Sequence, residues 1–181
     1  MDKHLLEQLA YPIGRFETPP LYDETLLRQW VGKIEAAPNW YDYVIENLDE
    51  AQLQTVYRPG GWTINQVVHH VADSHMNAYV RLKLALTEEV PVIKPYHEAL
   101  WATLPDVQSV PVNVSITLLH ALHRRWVAVL RELSPEQWER SYYHPADQRH
   151  FPLWQMTAMY AWHGRHHFEQ LFRLRERMGW L

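Results

Sequence analysis

The chain has no cysteine among its 181 residues. That excludes disulfides, thiolate metal ligands and a cysteine nucleophile, and it is compatible with a reducing compartment. Nor is there an apolar run approaching the ~20 residues that span a bilayer, so no membrane segment is expected. No Lys/Arg cluster interleaves with aromatics. The balance of 17 basic to 21 acidic residues leaves a formal net charge of −4, which argues against a nucleic-acid partner. Met1 to Ala10 carries Asp2, Lys3, His4 and Glu7 and does not read as a signal peptide. A soluble, cytoplasmic protein is expected, and the sequon Asn113-Val114-Ser115 is read as coincidental. Internal repeats, low-complexity stretches and strand-like alternation are also missing.

What is present is helical periodicity. Hydrophobic residues make up 47%, a value typical of folded domains. The 9 tryptophans and 10 tyrosines are read mainly as packing residues. Residues 1–22, with Pro12, Gly14, Pro19 and Pro20, read as an irregular N-terminal arm. Asp23 or Thr25 is placed to cap a first helix through Leu26, Trp30 and Ile34 towards Leu48, with Pro38 expected to kink or split it. After a turn at Tyr57–Trp62, Thr63 and Gln66 form a capping-box pattern. A second helix follows, from Ile64 to about Leu86. Pro91 to Pro105 is a long aromatic connection of the kind that often covers a site.

A third helix is expected from near Ser115 to Leu133, then a short turn at Pro135–Trp138. Ser141 to Phe151 reads as a polar loop. Pro152 suits the first turn of a last helix, Leu153–Met178, ended by Gly179. Four helical patterns with long connections predict an all-α, single-domain four-helix bundle over 1–181.

His163 and His167 stand four apart in the last pattern, so they share one face. Two imidazoles at that spacing can grip one metal ion, as in zinc-protease helices. Gly164 stands where such a protease has its glutamate, so the helix carries no built-in base. A third ligand is sought on the second helix, where His69 and His70 compete. Apolar residues are scattered around that helix, and periodicity leaves open which histidine points inward. The side of His70 also carries Asp73, Ser74, Asn77 and Arg81.

Several stretches together resemble a known family: Tyr11-Pro12-Ile13-Gly14; Gly60-Gly61-Trp62-Thr63; Gln66 through Asn77; Tyr143-His144-Pro145; Trp162-His163; and Met178-Gly179-Trp180. The chain is similar, over nearly its whole length, to the YfiT-type metal-dependent hydrolases of the DinB-like superfamily of four-helix bundles. The resemblance implies a divalent metal, zinc or nickel, held by three histidines, and a cytoplasmic homodimer. Carried over by motif, the ligands are His70, His163 and His167. The family's last helix is richer in histidine; here Gly164 and Arg165 intervene, but the i, i+4 pair survives.

Three readings follow. One is a metal-dependent hydrolase with an open position for activated water. A second is a thiol S-transferase of the bacillithiol type, resembling other superfamily members, with the thiol supplied by a cosubstrate. The third is a non-catalytic metal-binding bundle. No catalytic residue is assigned; Asp73, Asn77, Arg81 and Tyr143 are candidates.

Overall fold

The computed structural model describes residues 2–181. Asp2 accepts a hydrogen bond from the His4 backbone amide (3.1 Å) and starts a short helix, α1 (Lys3–Ala10). The expected irregular arm is thus helical at its beginning. Its prolines and glycine all lie beyond Tyr11, so nothing in the first ten residues breaks a capped helix.

The first long helix, α2 (Glu24–Ile45), is capped by Asp23, whose side chain accepts from the Leu26 amide (3.0 Å). Pro38 does not split it; the helix runs on through that residue. A one-turn helix, α3 (Glu50–Leu53), precedes the turn to α4 (Ile64–Thr87). There the Thr63–Gln66 capping box forms in both directions, at 3.1 and 3.0 Å.

The aromatic connection holds two short helices, α5 (Glu98–Trp101) and α6 (Pro105–Ser109). Helix α7 (Val112–Arg131) starts three residues before Ser115, behind Pro111. The short α8 (Pro135–Trp138) is closed by a Ser134–Gln137 capping box.

The expected polar loop is an antiparallel hairpin, β1 (Ser141–His144) with β2 (Arg149–Pro152). Tyr142 faces Phe151 in register, and both rings are buried with centroids 5.5 Å apart. One buried pair in each four-residue strand is too short a pattern for alternation to reveal. Pro152 sits at the N-cap of α9 (Leu153–Met178), just outside it, and Gly179 closes the helix at φ 68°.

Helix α2 packs against α7 and α9, and α4 packs against the same two, so α2 and α4 lie on a diagonal of the bundle. The core is divided. One apolar cluster takes Leu27, Val31 and Ile34 of α2, Ala78 and Leu82 of α4, Trp126 of α7 and Met156 of α9. The other takes Tyr41 and Val44, Val67 and Val71, Leu119, and Phe168 and Leu171 from the same four helices. Between them, at the level of Pro38, lie the imidazoles of His75 and His123, both buried. Polar rings in such a layer must satisfy one another or bind something.

Candidate metal centre

Helix α4 delivers His70 and α9 delivers His163 and His167. One ligand nitrogen from each of the three lies within 4.8 Å of the other two. The i, i+4 spacing on α9 sets the 163–167 ring centroids 4.6 Å apart, and the His70 ring is 5.3 and 5.0 Å from them. His69 points elsewhere. Its Nδ1 accepts from Ser115 Oγ (2.7 Å) and its Nε2 donates to the Val110 carbonyl (3.1 Å), so it ties α4 to the start of α7. Which of the two adjacent histidines turns inward is thereby decided.

The tautomers follow from main-chain oxygens. A helical amide normally donates to the carbonyl four residues earlier. Pro38 has no N–H, so the Ile34 carbonyl is left without that donor. His123 Nδ1 takes its place at 2.5 Å. A carbonyl only accepts, so Nδ1 of His123 carries the proton and its Nε2 is bare. That Nε2 accepts from His75 Nδ1 (2.8 Å), and His75 Nε2 accepts from His163 Nδ1 (3.2 Å). With every ring neutral, the series ends at His163 Nε2 as a naked lone pair.

A second series ends the same way. Gln170 Nε2 donates to the Ala10 carbonyl at the end of α1 (2.7 Å), which fixes the amide's orientation. Its Oε1 then accepts from His167 Nδ1 (2.8 Å), leaving His167 Nε2 bare. The same Gln170 nitrogen lies 3.0 Å from Nε2 of the buried His166.

Burial keeps these rings neutral. It is the main cause holding His70 to about 2, with the His167 ring adding to it. Burial likewise lowers His167 to about 4 and His123 to about 4. His75 and His163 are held well below the ordinary histidine value, again mainly by burial. Metal ligation requires the neutral imidazole.

The spacing suits a tetrahedral ion. His70 Nε2 and His163 Nε2 are 3.3 Å apart. Two nitrogens at about 2.0–2.1 Å from zinc, at the tetrahedral angle, stand roughly 3.3–3.4 Å apart. With its proton on Nδ1, neutral His70 also turns a bare Nε2 to this point, and a cation then satisfies both lone pairs.

Gly164 has a packing reason. A Cβ on it would lie 3.3 Å from Cε1 of His75, so its bareness lets α4 bring His75 against α9. Its carbonyl accepts from the Tyr41 hydroxyl (2.8 Å).

The three histidines open on a cleft of about 730 Å³, also lined by Trp62, Ser74, Arg81, Tyr96, His144 and Tyr160. The Trp62 ring packs 4.6 Å from His70. The connection expected to cover something does so, since Pro95, Tyr96 and Glu98 form part of the wall. Of the four catalytic candidates only Arg81 lines this cleft. Asp73 lies off it, and burial, with Asp106 nearby, raises its carboxyl to about 6. Asn77 caps its own helix turn through the Asp73 carbonyl (2.9 Å). Tyr143 packs on His150 across the hairpin, centroids 5.3 Å apart.

Sequence reasoning gave no role to His75, His123 and Gln170. Only Pro38 and Gly164, residues out of place in helix interiors, mark where that network crosses α2 and α9.

A family model described as the DinB superfamily matches residues 33–171. A Bacillus mycoides (strain KBAB4) protein named "Putative metal-dependent hydrolase" is 47% identical over 175 residues, covering 97% of this chain and 100% of the relative. A Bacillus anthracis (strain A0248) protein of that name is 48% identical with the same coverage. Among solved structures, YfiT from Bacillus subtilis, described as "a probable metal-dependent hydrolase with an unusual four-helix bundle topology", superposes with a TM-score of 0.93 at 41% identity. That match covers 96% of this chain and 99% of YfiT. A mycothiol-dependent maleylpyruvate isomerase shares the fold alone, with a TM-score of 0.64 at 19% identity over 80% of this chain and 60% of the isomerase. The chain belongs to the DinB superfamily, with YfiT and the Bacillus proteins named as metal-dependent hydrolases as its relatives.

Proposed function

We propose that the protein is a metal-dependent hydrolase whose divalent ion is held by His70, His163 and His167. The observation that carries this reading is the convergence of ligand nitrogens from His70, His163 and His167 within 4.8 Å of one another, with the Nε2 atoms of His70 and His163 3.3 Å apart. The names of the relatives agree with it. Three neutral imidazoles suit zinc and nickel alike. Such an ion with one open position supplies Lewis acidity, polarising a carbonyl and lowering the pKa of water or a thiol. The protein's own part is to present the three lone pairs and to shape the cleft beside them.

One feature favours a second reading, a thiol S-transferase using a low-molecular-weight thiol. No Asp or Glu joins the three histidines among the described residues. Glu98, the carboxylate in the cleft wall, is exposed. Hydrolysis profits from a general base near the attacking water, whereas a thiol that gives up its proton on coordination needs none.

The two readings separate in one experiment. Zinc-loaded and nickel-loaded protein are incubated with 4-nitrophenyl esters and, separately, with monochlorobimane and a small thiol. Metal-dependent ester turnover without thiol supports hydrolysis. Thiol-dependent bimane conjugation without ester turnover refutes hydrolysis and supports transfer. Neither activity under any metal returns the protein to a non-catalytic metal-binding bundle.

A further inference from the structure

Arg81 stands out in the cleft wall. It is 8% exposed, and a guanidinium stays charged at any ordinary pH. Among the described residues no carboxylate forms an ion pair with it. The other interior arginine, Arg175, donates to the main-chain carbonyls of Tyr43, Val44 and Trp180. Arg140 likewise donates to those of Ala85 and Glu88. Glu98 shares the cleft wall but is exposed and unpaired with Arg81. Asp147 is taken by His144, at 3.3 Å. A desolvated cation without an anion is costly unless a partner arrives with a ligand.

Its surroundings suit such a partner. The Tyr142 hydroxyl lies within hydrogen-bonding reach of Arg81. Tyr96, Tyr160 and His144 line the same cleft. A tyrosine hydroxyl is neutral at ordinary pH and serves as a hydrogen-bond donor. A planar guanidinium fork flanked by neutral hydroxyls is built to take a carboxylate in bidentate fashion.

The fork is also on the right side of the helix. Arg81 follows His70 by eleven residues, three turns on, and so returns to the same face with Ser74 between. The rise over eleven residues is about 16 Å, and helical side chains lean back towards the N-terminus. His70 leans the same way, so only the longer reach of the arginine shortens the offset, to on the order of 10–15 Å from His70.

We propose that Arg81, with Tyr96 and Tyr160, forms a carboxylate-recognition site at the far end of the cleft. The substrate then carries a carboxylate several bonds away from the group that reacts at the histidines. This deepens the metal-dependent reading above and rests on it for the reacting end only. The anion site itself needs no metal.

The test is calorimetric titration with glutarate and with its uncharged counterpart glutaramide. Chelator-treated and zinc-loaded wild type are compared with Arg81→Gln, Arg81→Lys and His163→Ala. The expected result is at least ~10-fold tighter binding of glutarate than of glutaramide in wild type, with or without zinc, since a charge-assisted pair of this kind is worth a tenfold or more. The preference falls to within about twofold in Arg81→Gln, is partly kept by Arg81→Lys because charge remains without the fork, and persists in His163→Ala.

No preference in wild type, or an undiminished one in folded Arg81→Gln, overturns the proposal. If Arg81→Gln does not fold, the side-chain Nε–H resonance of Arg81 in wild type decides. It shifts on titration with glutarate and not with glutaramide, and an unmoved resonance overturns the proposal. A preference that appears only with zinc also overturns it, because the ion is then reading the carboxylate, while the metal centre stands. A wild type that keeps the preference yet takes up no zinc sinks the metal centre and keeps the anion site.

Discussion

Replacing His123 by leucine removes the link between the Ile34 carbonyl and His75, and the consequence reaches the metal centre two rings away. In wild type the carbonyl dictates Nδ1–H on His123, then on His75, then on His163. Without His123 the His75 proton is free to move to Nε2. It then points at His163 Nδ1, and the neutral His163 places its own proton on Nε2, where the ion has to bind. Restoring the productive tautomer leaves His75 Nδ1–H facing an apolar leucine, unpaired. Loss of a partner that orients a metal-bound histidine weakens binding roughly 10–100-fold, or about 1.4–2.7 kcal/mol.

Competition for zinc against a chromophoric chelator measures the affinity. Long-range proton–nitrogen NMR of the imidazoles reads the tautomer directly. His123→Gln, which offers an acceptor at about the reach of Nε2, recovers most of the affinity. Wild-type zinc affinity in a folded His123→Leu protein, or a proton on His163 Nε2 in metal-free wild type, refutes the reasoning.

Other outcomes follow from the same geometry. Pro38→Ala restores a donor to the Ile34 carbonyl and removes a residue that costs up to about 3 kcal/mol inside a helix. Urea denaturation shows a more stable fold, while zinc affinity falls as the new amide competes with His123. Burial depresses the folded-state pKa of His123 to about 4, so the unfolded chain takes up the proton first as pH falls. Its contribution is complete above about pH 6.5 and is lost on the way down to pH 4. At about 1.4 kcal/mol per unit that amounts to roughly 3 kcal/mol, seen as a steeper fall of the urea midpoint in wild type than in His123→Gln. Gln170→Leu frees the His167 tautomer and cuts the tie to the Ala10 carbonyl. Zinc affinity drops about tenfold or more, and amides of α1 exchange faster with deuterium. In Gly164→Ala the new Cβ crowds His75 at 3.3 Å. Helix propensity gains up to about 1 kcal/mol, yet the chelator assay registers weaker zinc binding.

Local signals in the chain speak for local structure. Asp23, Thr63 with Gln66, Pro135 and Gly179 mark helix ends that the fold keeps, because each acts through atoms within four residues. The i, i+4 pair on α9 is legible for the same reason. Helix α1 went unread because the prolines that follow it dominate the arm's composition. The hairpin went unread because its case rests on one buried pair, Tyr142 and Phe151. Periodicity could not choose between His69 and His70, since the choice depends on Ser115 and Val110 from another helix and its approach. Single hydrogen bonds of the His163–His75–His123–Ile34 series join residues up to 89 positions apart, and only the packed bundle reveals it. Arg81 was visible as a polar residue on the His70 side. That it is buried without a counter-ion is a tertiary fact.

The most direct test of the central claim is the metal content of the purified protein after exhaustive dialysis, read by elemental analysis beside His70→Ala and His163→Ala. Three imidazoles converging on one cation require close to one zinc or nickel per chain in wild type and a near-complete loss in both variants. A wild-type chain without stoichiometric metal, or variants that retain it in full, contradicts the account.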